Sequence, residues 1–386
     1  MGISLHSIRR SALAGAVLSV ALGGTAFADA KLPDQLAWTA YDTGTAGYNQ
    51  SVAIGGALKN KMGVNLRVLP GKNDVSRTEP LRQGKVQFSA TGVGASFMAQ
   101  EGAFDFGSKR WGPQKIRTLM MNNGAIGLAV AVANDVGVKE YKDLKGKRVS
   151  WVKGSPSLNV NTEAYLAFGG LTWDDVIKVE FGGFGASWAG MVNGQVDAAF
   201  ASTNSGKAYE MEASPRGLIW PPTPASDTEG WARMTNIAPF FQPTMATVGA
   251  TITKENPAAT GAYPYPVLVA YPEQDEDLVY NMTKAMYELF PEYDGKAPGI
   301  SGWALDKQNL KWVVPYHAGA IRYYKEVGKW GDAEQAHNDK LLKRQEVLAK
   351  AWEGFVAKGA SDDTWDDEWR KARETALKAE GFTPVF

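Results

Sequence analysis

The sequence predicts an α/β fold of two interwoven lobes. Apolar alternation suited to strands is followed again and again by helical spacing. Several of these strands run directly into short loops of glycine and small hydroxyl residues. No linker long enough to separate independent domains interrupts the pattern.

The first unit spans Trp38 to Leu58. Leu36, Trp38 and Ala40 alternate as a strand, and Thr43, Gly44, Thr45 and Gly47 form a loop. Ile54, Leu58 and Met62 then recur at helical spacing, with Gly63 placed as a helix C-cap. Hydroxyls and the free N–H groups of a helix start face one small volume, where the helix dipole favours an anion. Val64, Leu66 and Val68 predict a second strand, Pro70 to Asp74 a polar loop, and Val75 to Arg82 a helix that Gly84 ends. Val86, Phe88 and Ala90 form a third strand closing on Thr91, Gly92, Val93 and Gly94. Further strands are expected over Ile116–Met121 and Leu128–Ala133.

A second series starts near Val138. A short helix covers Tyr141–Leu144, a strand Arg148–Val152, and a helix Asn159–Phe168 after the loop Gly154-Ser155-Pro156-Ser157. Thr172 caps a short turn that carries Asp174 and Asp175. Val179–Phe181 is a strand, Gly182 to Gly185 a loop, and Trp188–Val192 a helix. Val196–Ala201 is a strand ending on Ser202, Thr203 and Asn204. In open α/β sheets ligands sit beyond the carboxyl ends of strands, so the repetition of such loops counts for more than any one of them. Pro215 to Pro266 is rich in Pro, Thr and Gly and gives no clear elements. Val267–Tyr271 reads as a strand, while Asp277–Phe290, Ala318–Glu326 and the charged tail from Asp332 read as helices. The chain is expected to cross between lobes near Leu128–Ala133 and to return near Pro266–Tyr271. Residues 29–130 with 270–386 then make one lobe, with the tail from about residue 329 as its extension, and residues 131–269 make the other.

Arg9 and Arg10, the small apolar run Ser11–Gly24 and Ala26-Phe27-Ala28 have the form of an export signal over residues 1–28. The general secretory route fits better than the twin-arginine one. No later run approaches the ~20 apolar residues of a membrane helix, so the expected product is periplasmic. With no cysteine, disulfides and thiolate metal sites drop out, and stability must come from cores that roughly 360 residues can supply. Without the two leader arginines the chain holds 39 basic and 41 acidic residues. No basic patch invites nucleic acid.

Catalytic signatures are missing. There is no Gly-x-Ser-x-Gly elbow, no P-loop, no G-x-G-x-x-G spacing and no His-x-x-x-His. Asp174-Asp175 reads as helix N-terminal charge and Asp366-Asp367-Glu368 as a solvated face. His317, in Pro315-Tyr316-His317-Ala318-Gly319, reads first as the start of its helix. No catalytic residue, metal or cofactor is expected.

Several segments resemble the TAXI branch of the solute-binding proteins of TRAP transporters. These are Thr43–Leu58, Leu81–Phe88, Val138–Val149, Pro266–Ala270 leading into Glu276–Tyr280, and Pro315–Glu326, the last most specific. Together they cover roughly Trp38 to Gly328. The resemblance implies a type-II periplasmic binding fold with parallel or mixed sheets and hinge strands between the lobes. It also implies a small organic anion, such as an amino acid or dicarboxylate, delivered to an ion-gradient-driven TRAP permease by a monomeric binding protein. An ABC-type binding protein is the alternative within transport. A sensor-associated binding protein and an exported enzyme using His317 are further ones. One departure is Arg77, which stands where the family has an Asn. It reads either as a surface residue paired to Asp74 or Glu79, or as a bidentate grip on a ligand carboxylate.

The expected ligand-binding set is therefore Tyr41, Thr43, Gly44, Thr45, Tyr48, Arg77, Thr91 and Gly92 from the first lobe. Ser155, Ser157, Ser202, Thr203, Asn204 and Tyr263 face them from the second.

Overall fold

The computed structural model describes residues 1 and 30–386, so the expected export segment lies outside the described residues. The first half-lobe runs β1 (Gln35–Tyr41), α1 (Ala46–Met62), β2 (Asn65–Gly71), α2 (Asp74–Arg82), β3 (Phe88–Thr91), a short α3 (Ala99–Glu101) and β4 (Arg117–Met121). The second lobe follows with β5 (Leu128–Ala133), β6 (Arg148–Val152), α4 (Pro156–Phe168), β7 (Ile177–Phe181), α5 (Phe184–Val192), β8 (Ala198–Ser202) and α6 (Gly206–Glu212). It continues through β9 (Leu218–Ile219), α7 (Thr228–Ile237) and a hairpin of β10 (Gln242–Ala246) and β11 (Ala258–Ala262). The chain then returns as β12 (Val267–Ala270), α8 (Glu276–Glu288), α9 (Phe290–Tyr293), α10 (Ala318–Glu326), α11 (Asp332–Lys358) and α12 (Trp365–Ala379).

The two main sheets share one plan. Their orders are β2-β1-β3-β12-β4 and β7-β6-β8-β5-β9. In each, the βα units pair in parallel, and one inserted strand runs antiparallel to both neighbours. In the first sheet the insert is β12, which arrives from the second lobe. In the second it is β5, which arrives from the first. The sheets are thus mixed, and the molecule has the two-lobed type-II periplasmic binding fold. Sheet membership changes between Met121 and Leu128 and again between Ala262 and Val267. These points fall a few residues before the boundaries read from the sequence.

The inserted strands are the most buried. Every residue of β5 is at most 2 % exposed, which suits its continuous run Leu-Ala-Val-Ala-Val-Ala. Gly63 ends α1 at φ 73° and returns its N–H to Leu58 and Lys59 carbonyls, the expected left-handed cap. Three helix starts come earlier than the sequence suggested. Gly47 lies inside the first turn of α1, Ser157 inside the first turn of α4, and Phe184 begins α5. In α4 the reason is Pro156 at the first helical position, where its missing N–H costs nothing. Likewise Pro70 and Gly71, expected in a loop, complete edge strand β2, where a proline is tolerated.

The C-terminal extension packs on the first lobe behind β3. Arg344 makes a bidentate pair with buried Glu101 at 2.7 and 2.6 Å. The indoles of Trp369 and Trp365 donate to the Gly102 and Gly107 carbonyls at 2.6 and 2.8 Å.

Candidate functional site

A pocket lies between the lobes at the carboxyl ends of both sets of parallel strands. Tyr41 ends β1 and Thr45 caps α1. Ser157 and Asn161 stand on successive turns of α4, and Ser202 ends β8. Phe184 and Ser205 come from the starts of α5 and α6, and Tyr263 and Tyr265 from the returning crossover. Its volume is ≈ 20 Å³ for the centre of a water-sized sphere, room for one or two waters. The lobes are shut around it. Val75 N–H donates to the Gly154 carbonyl at 3.1 Å, Phe184 N–H to the Lys72 carbonyl at 3.1 Å, and Asn73 Nδ2 to the Lys153 carbonyl at 2.9 Å.

Beneath the pocket a buried carboxylate ties the lobes together, and nearer the surface Asp42 Oδ2 accepts from Gly185 N–H at 3.1 Å. Asp74, on α2 of the first lobe, is fully buried. Its Oδ1 accepts from Tyr41 Oη at 2.8 Å and from Arg77 Nη2. Its Oδ2 accepts from Ser157 N–H at 2.8 Å, Ser157 Oγ at 2.6 Å and Ser155 Oγ at 3.4 Å. The N-terminus of α4, an anion-favouring position, is therefore filled by the protein's own carboxylate. Arg77 completes the cluster. Its Nε donates to Thr91 Oγ1 at 3.0 Å, and its guanidinium lies 3.3 Å from the centre of the Tyr41 ring. Burial opposes the charge on Arg77, but Tyr41 and Asp74 outweigh it and its pKa rises. Burial also pushes the Tyr41 phenol well above its ordinary value.

The sequence-derived set divides by position. Tyr41, Thr45, Ser157, Ser202 and Tyr263 line the pocket. Arg77, Thr91, Gly92 and Ser155 sit one layer behind. Arg77 pairs with Asp74, as one reading expected, but in the core rather than on the surface. Its Nη2 and Nε are committed there and to Thr91, its Nη1 is buried without a hydrogen-bond partner, and the residue does not line the pocket. Thr43 is exposed and its N–H bonds to Asp42 Oδ1 at 3.0 Å. Gly44, at φ 83°, faces Lys207 and Gly206, and Tyr48 is half-buried against the core. Thr203 bonds the Val248 carbonyl at 2.7 Å and Gly127 N–H at 3.0 Å, bracing a crossover. Asn204 donates to the Pro298 carbonyl across the lobes at 2.8 Å.

Asn161, Tyr265, Phe184, Phe200 and Ser205 line the pocket without having been singled out from the sequence. For Asn161 a signal exists. It stands four residues after Ser157, one turn along the same helix face.

His317 caps α10 with Nδ1, which accepts from Gly319 N–H at 3.1 Å. It does not line the pocket. Thr172 and Asp175 form a capping box. Among the described residues no group of three or more His, Cys, Asp or Glu could hold a metal ion, and no helix is long and apolar enough to cross a membrane.

The model of the NMT1-like family matches residues 39–328. The narrower TRAP branch expected from the sequence is not what that match names. Among solved structures, the chain is similar to the alkanesulfonate-binding protein of Xanthomonas axonopodis pv. citri bound to MOPS. The identity is 16%, covering 85% of this chain and 94% of that one, with a TM-score of 0.45. An ABC transporter periplasmic binding protein from Brucella ovis with glutathione bound matches at 13% identity. It covers 66% of this chain and 67% of that one, with a TM-score of 0.43. An amino acid ABC transporter substrate-binding protein from Streptococcus pneumoniae bound to L-arginine also matches at 13%, covering 81% and 96%, with a TM-score of 0.38.

Proposed function

The chain belongs to the NMT1-like family, and from that premise we propose that it is an extracytoplasmic solute-binding protein. It captures a small organic solute between two lobes and presents it to a membrane permease. The observation that carries the reading is the pocket itself. It is lined from both lobes at strand ends and sealed by interlobe hydrogen bonds. Its wall holds hydroxyls, one amide and aromatic rings, with no histidine, carboxylate or amine to serve a nucleophile. Capture follows from hinge closure. The solute binds the shut form and shifts the population toward it.

The organic anion expected from the sequence finds no cation in the wall. The starts of α1 and α5 offer only backbone dipoles, so the reading is kept at a small organic solute. For the permease, the ABC class replaces the ion-gradient class as the working reading. Nothing in the family match favours TRAP, and two of the similar proteins belong to ABC transporters. A P-loop ATPase gene beside this one agrees with that. A many-span membrane protein gene with no ATPase restores TRAP.

Thermal-shift screening against amino acids, keto acids, dicarboxylates, amides and sugars tests solute capture. A solute at ~100 times its dissociation constant adds about 2.7 kcal/mol. One bound equivalent recovered chemically unchanged is the expected result. A solute that is consumed, or a panel with no shift, removes the reading.

A further inference from the structure

The distribution of charge around the pocket narrows the solute. A carboxylate lies near, but Asp74 is buried and takes its hydrogen bonds from Tyr41, Arg77 and Ser157. A guanidinium lies near too, but Arg77 gives Nη2 to that carboxylate and Nε to Thr91, and its remaining Nη1 is buried behind the wall, which Arg77 does not line. The wall itself bears no charged side chain. An α-amino acid would bring an ammonium with no carboxylate to meet it, and a dicarboxylate would bring two negative charges with no cation. Buried unpaired charge costs far more than a buried neutral group.

The wall does hold an unfilled acceptor. Asn161 is fully buried on the pocket face of α4, and its Oδ1 has no hydrogen-bond partner. The Nδ2 of the same amide donates to Tyr263 Oη at 2.7 Å. That bond holds an acceptor and a phenol side by side and leaves the phenol's own proton to be given elsewhere. Burial pushes Tyr263 well above the ordinary phenol range, so it keeps that proton. An acceptor beside a donor is the complement of an N–H beside a carbonyl. Phe184 and Phe200 supply flat apolar faces around it, and the ≈ 20 Å³ open to the centre of a water-sized sphere favours few atoms.

We propose that the cleft selects a small uncharged solute with an amide edge, its N–H on Asn161 Oδ1 and its carbonyl on the Tyr263 hydroxyl. The proposal rests on the solute-binding reading above and names the solute class for that same pocket.

Calorimetry and thermal shift on the whole protein test it with matched small probes: formamide and acetamide against formate, acetate and glycine. The amides are expected to bind about tenfold or more tightly than the acids. Asn161→Leu should weaken acetamide about tenfold. Asn161→Asp keeps the shape but adds a negative charge, so it should prefer acetamidine to acetamide. If the Leu variant fails to fold, the Asp variant decides. Acids binding as tightly as the amides, or an Asn161→Asp protein with unchanged acetamide affinity, overturn the amide edge and leave solute capture standing. No binding by any amide, acid or sugar overturns both.

Discussion

Asp74 and Arg77 set opposite charges where neither meets water. Removing one partner leaves the other buried and unpaired, at a cost of about 3–5 kcal/mol. Arg77→Met is therefore expected to lower the unfolding free energy by about that much in urea titrations. Arg77→Met with Asp74→Asn should recover part of it. A single-variant loss below about 1 kcal/mol would contradict the pairing. His317 acts at the same scale. Burial lowers its pKa, so as pH falls the unfolded chain takes up the proton first. The stabilisation is whole above the unfolded value of about 6.5 and is lost as pH drops below it. His317→Asn keeps a side-chain acceptor for the cap and removes the titration. Its stability should vary less than the parent's between pH 7 and pH 5, and equal slopes would sink the assignment. Residue types were legible in the sequence, but their partners were not. Tyr41 and Ser157 were expected to touch the solute; both line the pocket, yet both donate to Asp74. Ser157 and Asp74 lie 83 residues apart in sequence, so no local pattern announces their meeting.

Between β3 and α3 the chain makes one π-helical turn over Gly94–Met98. Its first residue lies against both α2 and α4. A Cβ on Gly94 would stand 2.2 Å from Asp74 Oδ2 and 2.8 Å from Ser157 Cβ, so only glycine lets the three elements meet. Gly94→Ala should wedge α2 from α4, with an overpacking cost of about 1–3 kcal/mol. Thermal unfolding should fall by a few degrees and solute affinity should drop with it; a variant with both unchanged would mean the junction is loose. Elements of this kind show why the sequence reading was uneven. β1 carries clear alternation, β5 a continuous apolar run and α10 a helix start at His317, and their positions were plain. The hairpin β10–β11 was not, because Gln-Pro-Thr-Met-Ala and Ala-Ala-Thr-Gly-Ala have weak strand propensity. Both strands are also largely part-exposed. α7 hid in the same Pro- and Thr-rich stretch, although Asp227 caps it.

At the scale of the whole molecule, exchange of β5 and β12 between sheets makes the lobes inseparable yet leaves, among the described residues, two short crossovers between them. Closure then depends on the bonds across the cleft. Backbone bonds such as Val75 to Gly154 contribute, and two carboxylates add charged ones, Asp42 from Gly185 N–H at 3.1 Å and the buried Asp74 from Ser157. Ser157→Ala deletes the 2.6 Å Oγ bond to Asp74 and the 2.8 Å contact of that Oγ with Tyr41 Oη, and keeps the 2.8 Å N–H bond. A hydrogen bond to a charged group contributes about 1.5–3 kcal/mol, so the closed-to-open ratio should fall roughly ten- to a hundredfold. Small-angle scattering of the solute-free variant should report a larger radius of gyration than the parent. Apparent solute affinity should fall in proportion to the lost closed population, while saturating solute restores the parent's compact profile. Unchanged scattering with unchanged affinity would assign closure to the backbone bonds instead. A changed profile that saturating solute cannot reverse would mean that Ser157 holds the fold rather than the hinge.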